Sequence, residues 1–569
     1  MKYIRIDINA LPLNIIFQKT KWQIIILAAI TFLLYGKTLN YEFIGLDEQS
    51  LLVQKKPFNE KLPNIPAAFS QHVFQSEGYI EAPGTIKFYR PLLSTSFILD
   101  ENLSKARTPE DEAAGKGFSV FHFSNILYHL IAVIGLLFVL LRMHVPQPLA
   151  FFFALLFAVH PMLAQAIAWI PGRNDSLVCA FVLWSFYFLL RYFEASSAKN
   201  LFLHLVLFAG ALFTKENAVM LLPLCLFSVF LLHGKKLKLN KKLFLACFYI
   251  LIAAFWVYAR KNAVGGIRLD SSFSDLYYSF VENLPLALQY LQKTILPVNL
   301  SVMASVHDTN YGWVMLALAL FGAGIYFTKK IPWMEIIFGL LWFFLFLAPT
   351  LLFSYFEGME HRSYLPAAGL LISIAFLEPV QNLLKKKEFL FGISAAVILI
   401  FGIITFMRLS AFADEYSYWK KAYETSEHSA VVCRDYGVIF TKKGNFPEAE
   451  KAYLEGIKRN PKETLLHYNL GVMYYKMERY EEAKAQLIEE MKINDKNFML
   501  YHVLGVVYNR LQRPEEAAMM FEQAVKLNPK FDESYKELLS FYSQKKDTMN
   551  FTRCKNELEK LGYKIEKKR

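Results

Sequence analysis

Eleven apolar windows, each long enough to cross or nearly cross about 30 Å of hydrocarbon, fill most of the chain between residues 22 and 408: 22–39, 118–142, 147–170, 175–193, 201–214, 217–233, 243–259, 312–328, 333–353, 364–384 and 389–408. No other feature restricts the fold so far. In lipid a backbone must satisfy its own polar groups, so runs of this length read as helices. With 55% hydrophobic and 16% aromatic residues among 569, the excess apolar surface has to face lipid. An all-α, polytopic membrane domain with about 11 transmembrane helices is predicted over 1–410.

Basic residues orient it. Lys2, Arg5, Lys19 and Lys21 precede the first window, "HGKKLKLNKK" (233–242) follows the sixth, Lys329 and Lys330 follow the eighth, and "KKK" (385–387) follows the tenth. All fall on one side, which the excess of positive charge makes cytoplasmic. The long loop 40–117, the loop 260–311 and everything after about 410 then lie outside. A single long helix over 201–233, in place of two windows split by "TKEN" (214–217), would carry Lys235, Lys236, Lys238, Lys241 and Lys242 outward. Two helices are therefore preferred. The formal charge of +13 is largely these clusters, so it points to no nucleic acid. Five cysteines show no CxxC spacing, and Cys179, Cys225 and Cys247 sit inside apolar runs, which indicates neither a zinc site nor a disulfide framework. The segment after Lys21 lacks a small-residue cleavage site and reads as a retained first span.

The tail, 411–569, carries a repeat. Gly437, Gly471 and Gly505 recur every 34 residues, with Phe440, Tyr474 and Tyr508 three later and Ala449, Ala483 and Ala517 twelve later. This is the tetratricopeptide period. Units are expected at 430–463, 464–497 and 498–531, with a degenerate one at 532–565 where Leu539 and Phe551 replace the glycine and alanine. Such superhelical arrays present concave grooves, which implies a protein partner or protein substrate.

Ionisable residues at membrane helix ends are functional hypotheses by default. On the predicted outer side lie Asp47 and Glu48 in "GLDEQS", Arg90 in "FYRPL", and His122, Asn125 and His129 along one face of "FSVFHFSNILYH". The same side holds His160, Arg173 and Asp175 in "HPMLAQAIAWIPGRND", Lys215 and Glu216, and Glu360, His361, Arg362 and Tyr364 in "MEHRSYLP". Carboxylates, cations and imidazoles converging from distant segments suit a group transfer whose donor has an anionic leaving group in the bilayer. Arg, Lys and His stabilise developing phosphate charge, and a carboxylate accepts the acceptor's proton.

The order of these motifs, "LDE", "YRPL", "HFSNILYH", "HPMLAQAIAWIPGRND", "KEN" and "EHRSYLP", followed by the repeats, resembles the transmembrane and tetratricopeptide repeat-containing protein O-mannosyltransferases and their bacterial relatives, of the GT-C glycosyltransferase fold. That resemblance implies transfer, with inversion, of mannose or another hexose from a polyprenyl (undecaprenyl or dolichyl) phosphate donor to protein hydroxyls on the extracytoplasmic side. It implies a base at Asp47, with Glu48 where many relatives have a second aspartate. Donor phosphate or substrate binding falls to Arg90, His160, Arg173, Lys215, Glu360, His361, Arg362 and Tyr364. Gln165 departs from the glutamate that relatives often carry there. The repeats would hold the polypeptide acceptor, and a bacterial inner membrane is preferred over an endoplasmic reticulum.

Plainer readings stand beside these. Arg90 suits a snorkelling turn, His122 and His129 suit helix-packing hydrogen bonds, and His160–Pro161 a helix end. Arg173 and Asp175 read as a local pair or a cap, and Lys215 with Glu216 as a local ion pair. No cofactor or metal triad is indicated. Asp47 with Glu48 is the one pair a divalent cation could use, and nothing else in the sequence supports it. Two other functions compete: a GT-C transferase acting on a surface glycan or lipid, and a non-catalytic scaffold that docks partners through its repeats.

Overall fold

The computed structural model describes residues 19–75, 87–105, 107–232, 237–265, 272–352, 358–385 and 387–563. Lys2, Arg5, Lys235, Lys236 and Lys386, used above for orientation, lie outside the described residues, as do the last two positions of the expected fourth repeat. The chain divides into two compact units, Met1–Thr425 and Ser426–Arg569.

In the first unit every apolar window falls on a helix. Thr20–Asn40, Ser119–Arg142, Ile170–Ala195, Leu239–Val264, Trp333–Leu351 and Phe391–Phe412 are long and apolar enough to cross unaided. Two windows are bent pairs, Gln147–Ala158 with Pro161–Ala168 at 44° and Glu360–Ala375 with Glu378–Lys385 at 67°. Ala198–Thr214, Glu216–Leu232 and Tyr311–Tyr326 are shorter. Among the described residues there is no strand, only one isolated bridge between Ala304 and Gly358.

The principal helices are α1 (Thr20–Tyr35), α2 (Pro91–Leu103), α3 (Ser119–Arg142), α4 (Gln147–Ala158), α5 (Ala164–Ala168), α6 (Arg173–Ala195), α7 (Ala198–Thr214), α8 (Leu239–Val264), α9 (Leu284–Ile295), α10 (Tyr311–Tyr326), α11 (Trp333–Leu351), α12 (Tyr364–Ala375) and α13 (Lys387–Leu409). Helix α6 is central, packing on α3, α7 and α12. Helix α8 is peripheral: Ile250, Leu251 and Phe255 are each more than 60% exposed. An apolar helix with such a face is stable against lipid and not against water. Close approach of α11 to α12 depends on small residues, as is usual between membrane helices. A Cβ at Gly339 would run into the Gly369 carbonyl and Ser373, and one at Gly369 into Trp342.

The α4–α5 bend has a local cause. Pro161 starts a new 3-10 turn, and the buried His160 caps it, its Nδ1 accepting from the Met162 N–H (3.3 Å) while Nε2–H donates to the Thr294 carbonyl (3.0 Å). A proline removes a helical donor, and the imidazole supplies hydrogen bonds at the break.

The second unit is a stack of helical hairpins, α14 (Ala430–Lys442) with α15 (Phe446–Arg459), α16 (Leu466–Lys476) with α17 (Tyr480–Ile493), α18 (Phe498–Arg510) with α19 (Pro514–Leu527), and α20 (Asp532–Gln544) with α21 (Thr548–Lys560). The repeated glycines receive side chains from the second helix of each hairpin: Tyr453 at Gly437, Leu487 at Gly471 and Phe521 at Gly505. Leu465, which has no capping side chain of its own and a φ of 69°, is served from a neighbouring helix. Fully buried Glu490 accepts the Leu465 N–H (2.7 Å) and the Tyr468 N–H (3.3 Å).

Candidate active site

The loop after α1 folds back on Glu48. Its carboxylate is 2% exposed and accepts the N–H groups of Ile44 (3.3 Å) and Leu46 (3.1 Å), and burial pushes its pKa up to about 7. Wrapping this short segment around one carboxyl leaves its neighbour, Asp47, turned toward other elements. Asp47 is half-buried; burial raises its pKa, and the guanidinium charges of Arg90 and Arg362 oppose that rise. A π-helical turn, Gln49–Gln54, follows directly, a wide geometry found often at functional sites.

Arg90 stands at the N-cap of α2, ahead of Pro91, the residue type favoured at a first helical position. Its Nε donates to Glu216 Oε2 at 2.9 Å, the Tyr89 N–H donates to Glu216 Oε1 at 2.7 Å, and the guanidinium lies 4.3 Å over the Phe88 ring. Lys215 points elsewhere, to Asp175 Oδ1 (2.6 Å) and Asn174 Oδ1 (3.0 Å). Asp175 Oδ2 lies 3.9 Å from His361 Nε2.

The 3-10 turn Glu360–Ser363 delivers His361 and Arg362. Glu360 is fully buried, with Lys293 Nζ and the Ser301 N–H on Oε1 (both 2.8 Å) and Arg408 on Oε2. This charge cluster ties α9, the 296–310 loop and α13 to the turn. Arg362 lies within electrostatic reach of Asp47, Arg90, Asp175 and Tyr290, and His361 within reach of Arg90, Lys215 and Arg362.

Asp47, Arg90, Asp175, Lys215, His361 and Arg362 thus form one charged cluster drawn from five stretches of chain. With Glu216 counted, three carboxylates face three cations and an imidazole. Arg173, Tyr364, His129, His160 and Glu360 sit apart from it with their polar atoms engaged. Arg173, wholly buried, donates to Asp100 (2.5 Å), Ser96 (3.3 Å), the Phe121 carbonyl (2.7 Å) and Asn125 (2.8 Å), joining α2, α3 and α6. Tyr364 donates its O–H to His129 Nδ1 (2.5 Å), whose Nε2–H donates to the Ala158 carbonyl (3.1 Å). His160 is spent on the α4–α5 break, and Glu360 on its cations. Arg173 and Asp175 do not pair with each other, nor do Lys215 and Glu216, because each finds a partner on a different element.

Asn174, Gln165 and Trp169 join the cluster's border without having been singled out as binding residues. For Asn174 and Trp169 the only sequence signal is membership of "AQAIAWIPGRND", while Gln165 stood out as a departure from the glutamate that relatives often carry there. Among the described residues no group of three or more His, Cys, Asp or Glu side chains could hold a metal ion. Both Glu48 carboxylate oxygens face backbone N–H groups, those of Ile44 and Leu46.

Residues 113–258 match the family model of dolichyl-phosphate-mannose-protein mannosyltransferases, and 466–497 and 500–531 match the tetratricopeptide repeat. Protein O-mannosyl-transferase TMTC1 of Mus musculus is 30% identical over 212 residues, 35% of this chain and 21% of that protein. A protein O-mannosyl-transferase of Caenorhabditis elegans is 23% identical over 462 residues, 77% of this chain and 63% of that one. The chain spans between about a fifth and somewhat under two-thirds of these relatives. A solved structure of Pseudomonas aeruginosa pilF overlaps 26% of this chain and 67% of its own at 20% identity and a TM-score of 0.25, too slight to add anything. The chain resembles the transmembrane and tetratricopeptide repeat-containing O-mannosyltransferases in both of its units: an all-α, multi-pass membrane unit of GT-C type, then tetratricopeptide repeats.

Proposed function

We propose that this protein is a membrane glycosyltransferase that moves a hexose, mannose by analogy with the names of its relatives, from a polyprenyl phosphate to hydroxyl groups of polypeptides. The observation that carries the reading is Asp47 under the influence of both Arg90 and Arg362, beside Asp175, Lys215 and His361. A carboxylate next to two guanidiniums has a base and a phosphate site in one place.

In this reading the donor phosphate meets Arg90 and Arg362, with Lys215 behind them. Asp47 takes the proton of the acceptor hydroxyl as its oxygen attacks the anomeric carbon. The bond from that carbon to the phosphate oxygen breaks on the opposite face, so configuration inverts, and the lipid phosphate leaves with the bonding pair. The guanidiniums stabilise the charge that develops on the leaving oxygen. Arg173, His160 and Tyr364 hold the helices, and Glu360 holds the turn that presents His361 and Arg362. The cluster faces outward, the repeats share that side and hold the acceptor, and a bacterial inner membrane is the setting we favour.

Membranes carrying the full chain, supplied with radiolabelled polyprenyl phosphate mannose and a peptide rich in Ser and Thr, test this. Label should enter peptide, and Asp47→Asn should cut transfer by roughly 10²-fold or more, the scale of a lost general base. Undiminished transfer by Asp47→Asn, or label entering lipid or glycan and never peptide, would overturn it.

A further inference from the structure

Gln165, Trp169, Asp175 and His361 meet at the edge of the charged cluster, each with one polar atom left unsatisfied among the described residues. Asp175 is 1% exposed, and its Oδ2 has no hydrogen-bond partner among the described residues. The same is true, among those residues, of His361 Nδ1, Trp169 Nε1 and Gln165 Nε2. The other three side chains gather around His361. Asp175 Oδ2 is 3.9 Å from His361 Nε2, the Trp169 and His361 ring centroids are 5.2 Å apart, and Gln165 Oε1 accepts the backbone N–H of His361 at 3.3 Å. They come from α5, its C-cap, the first turn of α6 and the 360–363 turn.

Buried polar atoms are nearly always paired, so four orphans in one place require an explanation. Their chemistry sets what a ligand group replacing water there must offer. An indole N–H and an amide NH₂ only donate, a carboxylate oxygen only accepts, and a neutral imidazole does one at each nitrogen. A phosphate, offering acceptors alone, would face Asp175 with like charge. A prenyl tail would leave every one of the four unpaired. Hydroxyl groups donate and accept at once, and a ring bearing several would answer the whole set.

We propose that Gln165, Trp169, Asp175 and His361 form the subsite for the hexose hydroxyls of the donor, distinct from the guanidiniums that take its phosphate. This rests on the polyprenyl phosphate sugar reading above. It makes Trp169 and Gln165 specificity-determining residues for the sugar and assigns them no part in holding lipid phosphate.

Binding of two lipids to the purified full chain tests it: polyprenyl phosphate mannose and the same polyprenyl phosphate without sugar. Trp169→Phe and Gln165→Met should each weaken the sugar-bearing lipid about tenfold, the scale of one buried hydrogen bond, and leave the sugar-free lipid within about twofold. Retained sugar-free binding also reports an intact fold. Arg362→Gln should weaken both lipids alike. On the unmodified protein, at least one monodeoxy-mannosyl lipid should bind about tenfold more weakly, and Trp169→Phe or Gln165→Met should erase that difference. Equal loss for both lipids, or no loss for either variant together with indifference to every deoxy donor, overturns the subsite while the donor assignment survives. Failure of the unmodified protein to bind either lipid overturns the donor assignment, and the subsite falls with it.

Discussion

Glu216 holds Arg90 at 2.9 Å through Oε2 and the adjacent Tyr89 N–H at 2.7 Å through Oε1. One carboxylate thus fixes both the charge and the backbone that carries it, across 126 positions of sequence.

Glu216→Gln keeps one acceptor but removes the charge that orients the guanidinium. Charge-assisted hydrogen bonds contribute about 1.5–3 kcal/mol. Transfer at saturating donor should therefore fall roughly tenfold to a hundredfold. Arg90→Lys should fall at least as far, since an ammonium lacks the planar set of donors that can hold Glu216 through Nε and still face a phosphate. Initial rates with the labelled donor check both.

The pH profile should be bell-shaped. Asp47 must be ionised to act as a base, and burial raises its pKa, which gives an acid limb. Glu48 is pushed up to about 7 by burial, so the folded loop favours the neutral acid. That stabilising preference is complete below the ordinary glutamate range and is lost as pH rises through about 7. Activity should decline on that limb as a charge develops beside Asp47. Glu48→Gln, uncharged at every pH, should abolish the alkaline decline and leave the acid limb, as read from rates between pH 4 and 9 and from hydrogen exchange across 44–54.

Arg173→Met should destabilise the membrane unit by about 3–5 kcal/mol, because it leaves the Asp100 carboxylate buried without its cation. Adding Asp100→Leu should recover much of that loss, which would not happen if Arg173 contributed through substrate. Thermal unfolding of the single and double variants in detergent measures the coupling.

In the repeats, Gly505→Val would drive a side chain into Phe521, whose ring lies within about 3 Å of where a Cβ would stand. Overpacking of this kind costs about 1–3 kcal/mol. Faster proteolysis confined to residues after Ser426 is expected, with donor binding unchanged.

The repeats were legible because three hairpins obey one period and each unit is local. The sequence did not reveal that the glycine receives position 453, 487 or 521, since the space is set by the crossing of two helices. In the membrane unit every apolar window fell on a helix, but hydropathy gave no sign of α2 or α9, which lie in segments that read as loops, and the bends at His160–Pro161 and before Glu378 lie inside windows that read as continuous. The site's residue types were legible and their partners were not. Adjacent charges such as Lys215 and Glu216 invite a local pair, but burial rewards full satisfaction wherever the packing supplies it. Lys215 therefore reaches back 40 positions and Glu216 126.

Those two residues are joined by a single peptide unit at the end of α7, a helix of 17 residues. At about 1.5 Å per residue it is some 25 Å long, shorter than an average hydrocarbon core. A thicker bilayer must thin locally or drag its end inward. Either response shifts the anchors of Arg90 and Asp175 in the same movement, so turnover in reconstituted vesicles should track acyl-chain length even with donor and acceptor held constant.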